Sequence, residues 1–112
     1  MKDLKHLSEK ILEFRDERDW KKYHNPKDLA LSISLEASEL LEIFQWKNSD
    51  EAIKKDIGNM KDELADILIY SILFANETGI NLIEAVEEKI IKNGDKYPIE
   101  ISYGSNVKYT LK

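Results

Sequence analysis

The chain of 112 residues contains no cysteine. Disulfides, thiolate metal sites and cysteine nucleophiles are therefore excluded together. Histidine is almost as scarce, and His6 and His24 are too few for a histidine-rich metal centre. Four glycines and two prolines leave little local punctuation, as a few long helices require. Cationic side chains are in the minority: 17 Lys and Arg stand against 22 Asp and Glu, for a formal charge of −5. A broad surface for DNA or RNA needs clustered Lys and Arg, so no nucleic-acid polymer is expected as a partner. A single nucleotide is still compatible, because a divalent cation can bridge acidic side chains and phosphate oxygens. Apolar runs are short as well. The longest, Leu64 to Ala75, is too short to span a bilayer and contains Asp66. Charges occupy the first residues, where a signal peptide needs an apolar stretch. The chain reads as soluble and cytoplasmic, with no membrane partner.

What is present is helical periodicity. At 42% hydrophobic and 35% charged, the chain is expected to form one globular domain over residues 1–112. Leu4, Leu7, Ile11 and Phe14 recur every three or four residues and predict a first helix over about 3–18. Trp20, Tyr23 and His24 then break the period. Asn25 followed by Pro26 restarts it as an N-cap and first helical residue, predicting a second helix over about 26–45. A third helix is expected over about 49–78. Asp50 and Glu51 suit its positive end, an irregularity is expected around Gly58, and Gly79 provides a left-handed cap. Asn81 with Glu84 resembles a capping box for a fourth helix over about 81–93. Residues 94–112 read as an extended tail. Four helices with short connections predict an all-α, antiparallel four-helix bundle.

Helix three is apolar on nearly every side from Leu64 to Ala75, with Asp66 and Ser71 as the clear polar exceptions. Such a helix must be covered all round. The three other helices of one short chain cannot do this, so a helical dimer, or a dimer of dimers, is expected.

The same helices carry acids in unusual places. Glu36 and Glu39 are three apart on helix two, and Glu63 and Asp66 are three apart on helix three, so each pair shares a helix face. At about 100° per residue, Glu36 falls among Leu29, Leu40 and Ile43, and Glu63 among Met60, Ile67, Tyr70 and Phe74. Glu39 and Asp66 lie at the edges of those stripes. A core-facing carboxylate must be paired with a cation, protonated or metal-bound. Few basic residues lie on the matching faces, which favours a metal. Hard oxygen ligands of this kind suit Mg²⁺, with Mn²⁺ as a substitute. A di-iron site of the Glu-x-x-His type is disfavoured, because no Glu is followed by His three residues later.

Glu36-Ala-Ser-Glu39 followed by Glu63-Leu-Ala-Asp66 resembles the E-x-x-E, then E-x-x-D signature of the MazG-like all-α nucleoside triphosphate pyrophosphohydrolases. The chain looks most like their short dCTP pyrophosphatase branch. The likeness extends over nearly the whole chain, through Glu17-Arg-Asp-Trp20, His24-Asn-Pro26, Leu40-Leu-Glu-Ile-Phe-Gln-Trp46, Ile67-Leu-Ile-Tyr70, Lys96-Tyr-Pro98 and Lys108-Tyr-Thr110. It implies hydrolysis of a nucleoside triphosphate between its α and β phosphates. It also implies a Mg²⁺ site formed by Glu36, Glu39, Glu63 and Asp66, in dimers that often pair into homotetramers. dCTP and 5-modified dCTP are the usual substrates in this branch, and clearance of surplus or non-standard nucleotides is the usual role.

The resemblance further implies a base and sugar wall made from Trp20, Trp46 and Tyr70. Tyr70 falls one turn after Asp66, beside the acids. Flat rings suit any base, at about 1–3 kcal/mol per stack. An ordinary aromatic core is the alternative. His24 is either a turn residue or a hydrogen-bonding partner of the substrate. Lys89, Asn93 and Lys96, near the end of helix four, either meet phosphates or simply favour the helix dipole, and Lys47 is a weaker candidate for the same contact. Gly94-Asp95 makes this segment less basic than in relatives. Two rival readings remain at this stage. One is a non-catalytic dimerisation module whose acids pair with lysines across an interface. The other keeps the fold and the metal but takes dUTP, although the insertions of all-α dUTPases are absent.

Overall fold

A computed structural model describes residues 3–107 of the chain. Every regular element among them is helical, as expected, and four of the helices are long. The described chain divides into two compact units, one ending at Gly79 and the other beginning at Ile80.

The first unit holds α1 (Leu4–Glu17), a 3-10 turn (Lys21–Tyr23), α2 (Pro26–Glu42) and α3 (Ser49–Thr78). Each long helix starts where a side chain can accept a free backbone N–H. Asp3 accepts from the His6 amide at 2.9 Å, Asn25 from Asp28 at 2.9 Å and Asn48 from Glu51 at 2.9 Å. Pro26 stands at the first turn of α2, where its missing N–H costs nothing. Gly79 ends α3 at φ 74°, the left-handed cap that the sequence signals.

The connection 43–48 is short, so α3 folds back antiparallel along α2, and α1 packs against α3. The core of this unit comprises Ile11 of α1, Leu29 of α2, and Ala52, Met60, Ile72, Leu73 and Ala75 of α3. Burying a side chain such as Leu29 contributes about 1.5–3 kcal/mol. The core is small, and Leu31, Leu35, Leu64 and Leu68 are left exposed.

Helix two stops at Glu42, three residues before the expected end. Phe44 and Gln45 instead donate to the carbonyls of Leu41 and Glu42, both at 3.0 Å, which tightens the chain into turns. Trp46 then adopts φ 66°. That left-handed conformation is uncommon for a large side chain and costs on the order of 1–3 kcal/mol. The expected irregularity in α3 falls at Asp56 (φ −126°, ψ 24°), two residues before Gly58. Lys47 donates to the Asp56 carboxylate at 2.9 Å and so ties the connection to this kink.

The second unit holds α4 (Leu82–Lys96) and α5 (Ile99–Ser102). Asn81 caps α4 by accepting from the Glu84 amide at 3.1 Å. α4 continues through Gly94 to Lys96 rather than stopping at residue 93, since a helical glycine costs only about 1 kcal/mol. The tail is not wholly extended: Ser102 and Tyr103 donate to the carbonyls of Pro98 and Ile99, closing a helical turn. The Lys108-Tyr-Thr110 motif and the end of the expected tail lie outside the described residues.

Candidate active site

The antiparallel pairing of α2 with α3 brings the two acidic motifs together. One carboxylate oxygen each from Glu36, Glu39 and Glu63 lies within 4.8 Å of the others. Glu36 and Glu63 are half-buried and Glu39 is exposed. Asp66 is not part of this tight group, but its charge acts on Glu36. Among the described residues no Lys or Arg forms an ion pair with any of the four acids.

This crowding of like charges shifts the protonation of the acids. Hydrogen bonds to Glu36 and Glu39, burial, and the charges of both neighbours push the Glu63 carboxyl up to about 7. For Glu36, hydrogen bonding to Glu63 pulls the other way, but burial and the charges of Glu39 and Asp66 leave its carboxyl raised. One oxygen on each of these two side chains, Oε2, is buried without a hydrogen-bond partner. Buried polar atoms are rarely left unsatisfied, so each orphan needs a partner to come. Clustered hard oxygens, unmatched by any described cation, fit a divalent ion such as Mg²⁺ or Mn²⁺. Within this chain, then, the donor set fits a divalent cation and no described Lys or Arg neutralises it.

Beside the acids lies a cavity of about 400 Å³. Asp66, Ile69, Tyr70 and Leu73 of α3 form one wall, and Lys10, Ile11, Phe14 and Arg15 of α1 form another. Trp20 and His24, from the segment between α1 and α2, complete it. Phe14 and Trp20 meet edge to face, with centroids 5.8 Å apart. The Arg18 guanidinium lies 3.6 Å from the Phe14 ring centroid and braces the pair from one side. Burial, followed by the charges of Glu36, Asp66 and Glu39, raises the Tyr70 phenol above its ordinary range. His24 brings an Nδ1 that is buried and has no hydrogen-bond partner.

Trp20, His24, Asp66 and Tyr70 therefore share one cavity. Trp46 is not in its lining and is 92% exposed. Lys47 is engaged with Asp56 rather than free for a phosphate. Lys89, Asn93 and Lys96 share a face of α4, where the neighbouring charge of Lys96 lowers the Lys89 pKa. The sequence reading missed Arg15, which is 6% exposed. A signal was available: Arg15 follows Ile11 by four residues and continues the packed stripe of α1.

Comparison with known proteins bears on what such a site belongs to. The MazG-like family pattern matches residues 31–110, a span that includes all four acids. The chain belongs to the MazG-like family. It is 39% identical over 103 residues to dCTP pyrophosphatase 1 of Mus musculus and 36% identical over the same length to that of Homo sapiens. Each alignment covers 88% of this chain but 61% of the relative, so the chain spans about three fifths of those proteins. The crystal structure of a pyrophosphatase from Archaeoglobus fulgidus superposes with a TM-score of 0.82 at 47% identity, covering 88% of this chain and 94% of that one.

Proposed function

We propose that this MazG-like chain is a Mg²⁺-dependent nucleoside triphosphate pyrophosphohydrolase, with dCTP or a 5-modified dCTP as substrate. Water would add at phosphorus, the bridging oxygen bond between the α and β phosphates would break, and monophosphate and pyrophosphate would leave. The observation that carries this reading is the group of Glu36, Glu39 and Glu63, with two orphaned oxygens, next to an aromatic cavity that Asp66 also lines. The names of the curated relatives and of the Archaeoglobus neighbour point the same way.

Glu36, Glu39, Glu63 and Asp66 would hold the cation. When bound, it supplies charge neutralisation at the phosphates and a lowered pKa for a bound water. The acids position the phosphates, and catalysis of phosphoryl transfer is mostly such positioning. Trp20 offers a stacking face for the base, with Tyr70 beside the sugar and His24 as a polar contact. Trp46, Lys89, Asn93 and Lys96 remain candidates for substrate contact on their chemistry alone. Leu64 (61% exposed) and Leu68 (43% exposed) give α3 an apolar face that supports self-association into a homodimer or homotetramer. No helix among the described residues is long and apolar enough to cross a membrane. Clearance of unwanted nucleotides in the cytoplasm is the role that fits these properties.

The test is a panel of dCTP, dUTP, dTTP, dATP and CTP, with and without Mg²⁺, with products separated by ion exchange. Mg²⁺-dependent monophosphate and pyrophosphate, formed fastest from dCTP, is the expected result. Diphosphate and orthophosphate would show that a different bond is cut. No turnover of any nucleotide would return the chain to a dimerisation module.

A further inference from the structure

Arg15 is the one charged residue among the described residues that is buried, and it lines the cavity rather than a sealed core. Nothing in the proposed chemistry uses it. A buried guanidinium must be paired, and Arg15 is: its Nε and Nη2 both lie 2.8 Å from Asp16 Oδ1. Nη1 is held differently. It reaches Asn76 Oδ1 at 3.3 Å and Glu77 Oε1 at 3.4 Å, well beyond the 2.7–2.9 Å usual for a charge-assisted bond. One side of the fork is firmly anchored and the other only loosely engaged.

Its position matters as much. Arg15 meets α3 at Asn76 and Glu77, whereas Asp66 lies ten residues earlier on the same helix. At a rise of ~1.5 Å per residue that is roughly 15 Å along the axis. Phe14, Arg15 and Trp20 line the same cavity as Asp66, so phosphates held at the acids would leave the base to the part that these three line. We infer that Arg15 is a specificity-determining residue whose guanidinium reads the edge of the base; this rests on the pyrophosphohydrolase reading above. A guanidinium only donates hydrogen bonds. Cytosine presents two adjacent acceptors, O2 and N3. Uracil presents O2 beside an N3–H donor, which would face the guanidinium donor to donor. Arg15 therefore selects cytosine over uracil.

The experiment measures kcat/KM for dCTP and dUTP with Mg²⁺, for the wild type and for Arg15→Gln, Arg15→Lys and Glu77→Gln. Each variant is first checked by circular dichroism. The expected result is a wild-type preference for dCTP that falls about tenfold or more in Arg15→Gln, within the range of one lost bidentate contact. The change should lie mainly in KM. Arg15→Lys keeps the charge but not the fork, so it tests the same point if Arg15→Gln does not fold. Glu77→Gln removes the charge from the α1–α3 contact yet leaves the guanidinium, and should preserve the ratio. Equal losses on both substrates in the Arg15 variants would overturn the inference and leave Arg15 as a clamp. So would a wild type that uses dUTP as well as dCTP. A wild type inactive on every nucleotide would instead sink the functional reading beneath it.

Discussion

Glu36 on α2 and Glu63 on α3 reach each other across the helix pair, and each keeps one oxygen buried without a partner. Two carboxyls in this arrangement resist joint ionisation, and a divalent cation relieves that conflict. Glu36→Gln or Glu63→Gln should therefore abolish most turnover, by about a hundredfold or more, because the charge that holds the cation is lost. The same variants should melt higher than the wild type in the absence of Mg²⁺, and gain less on its addition. Thermal melts with and without Mg²⁺ beside a rate assay check both halves. A variant that keeps full activity would remove these acids from the metal site.

The raised Glu63 carboxyl fixes the sign of a pH effect. Between its ordinary value of 4.5 and about 7, the folded chain binds more protons there than the unfolded chain does. Stability without a cation should therefore fall as pH rises through that window. The raised Glu36 carboxyl acts in the same direction. Bound Mg²⁺ favours the ionised acids, so it should flatten or reverse the trend. A series of melting temperatures from about pH 5 to about pH 8, with and without Mg²⁺, reads this directly. Stability that rises with pH in the cation-free protein would contradict it.

Lys47 and Asp56 fasten the 43–48 connection to the kink in α3. The hydrogen bond from Lys47, aided by the charges of Lys47 and Lys55, holds the Asp56 carboxyl below its ordinary 3.8 even though burial opposes it. Its stabilising effect is present above that value and is lost as pH falls through the depressed one. Asp56→Asn should lower the melting temperature by a few degrees near neutrality, and the difference from the wild type should vanish in acid. Trp46 lies beside Lys47, so its fluorescence in a Trp20→Phe background should report a looser environment. An unchanged melt would show that the pair contributes nothing to this connection.

Leu64 and Leu68 occupy successive turns of α3 and line a shallow apolar groove with Ala65 and Ile67. A lysine at position 68 should be tolerated in a free surface but not in a dry interface. Leu68→Lys is therefore expected to shift sedimentation from a dimer or tetramer to a monomer. A wild type that sediments as a monomer at every concentration would dismiss self-association through this face.

The sequence alone determined the helical class, and it did so through local physics. Asn25-Pro26, Asn81 with Glu84, and Gly79 encode helix ends in backbone hydrogen bonding and φ preference, which are readable within a few residues. The acid spacing was equally legible, because three residues along a helix always share a face. Boundaries without such markers were not. Nothing near Glu42 announces that α2 stops there, and Gly94 looks like a stop that α4 passes through. Only tertiary structure brought Glu36 and Glu39 up to Glu63, since that distance depends on the register of α2 against α3. It also decided what Arg15 meets, by laying α1 along α3 where Asn76 and Glu77 stand. Local sequence fixes which face a side chain occupies, whereas packing between helices decides what that face meets.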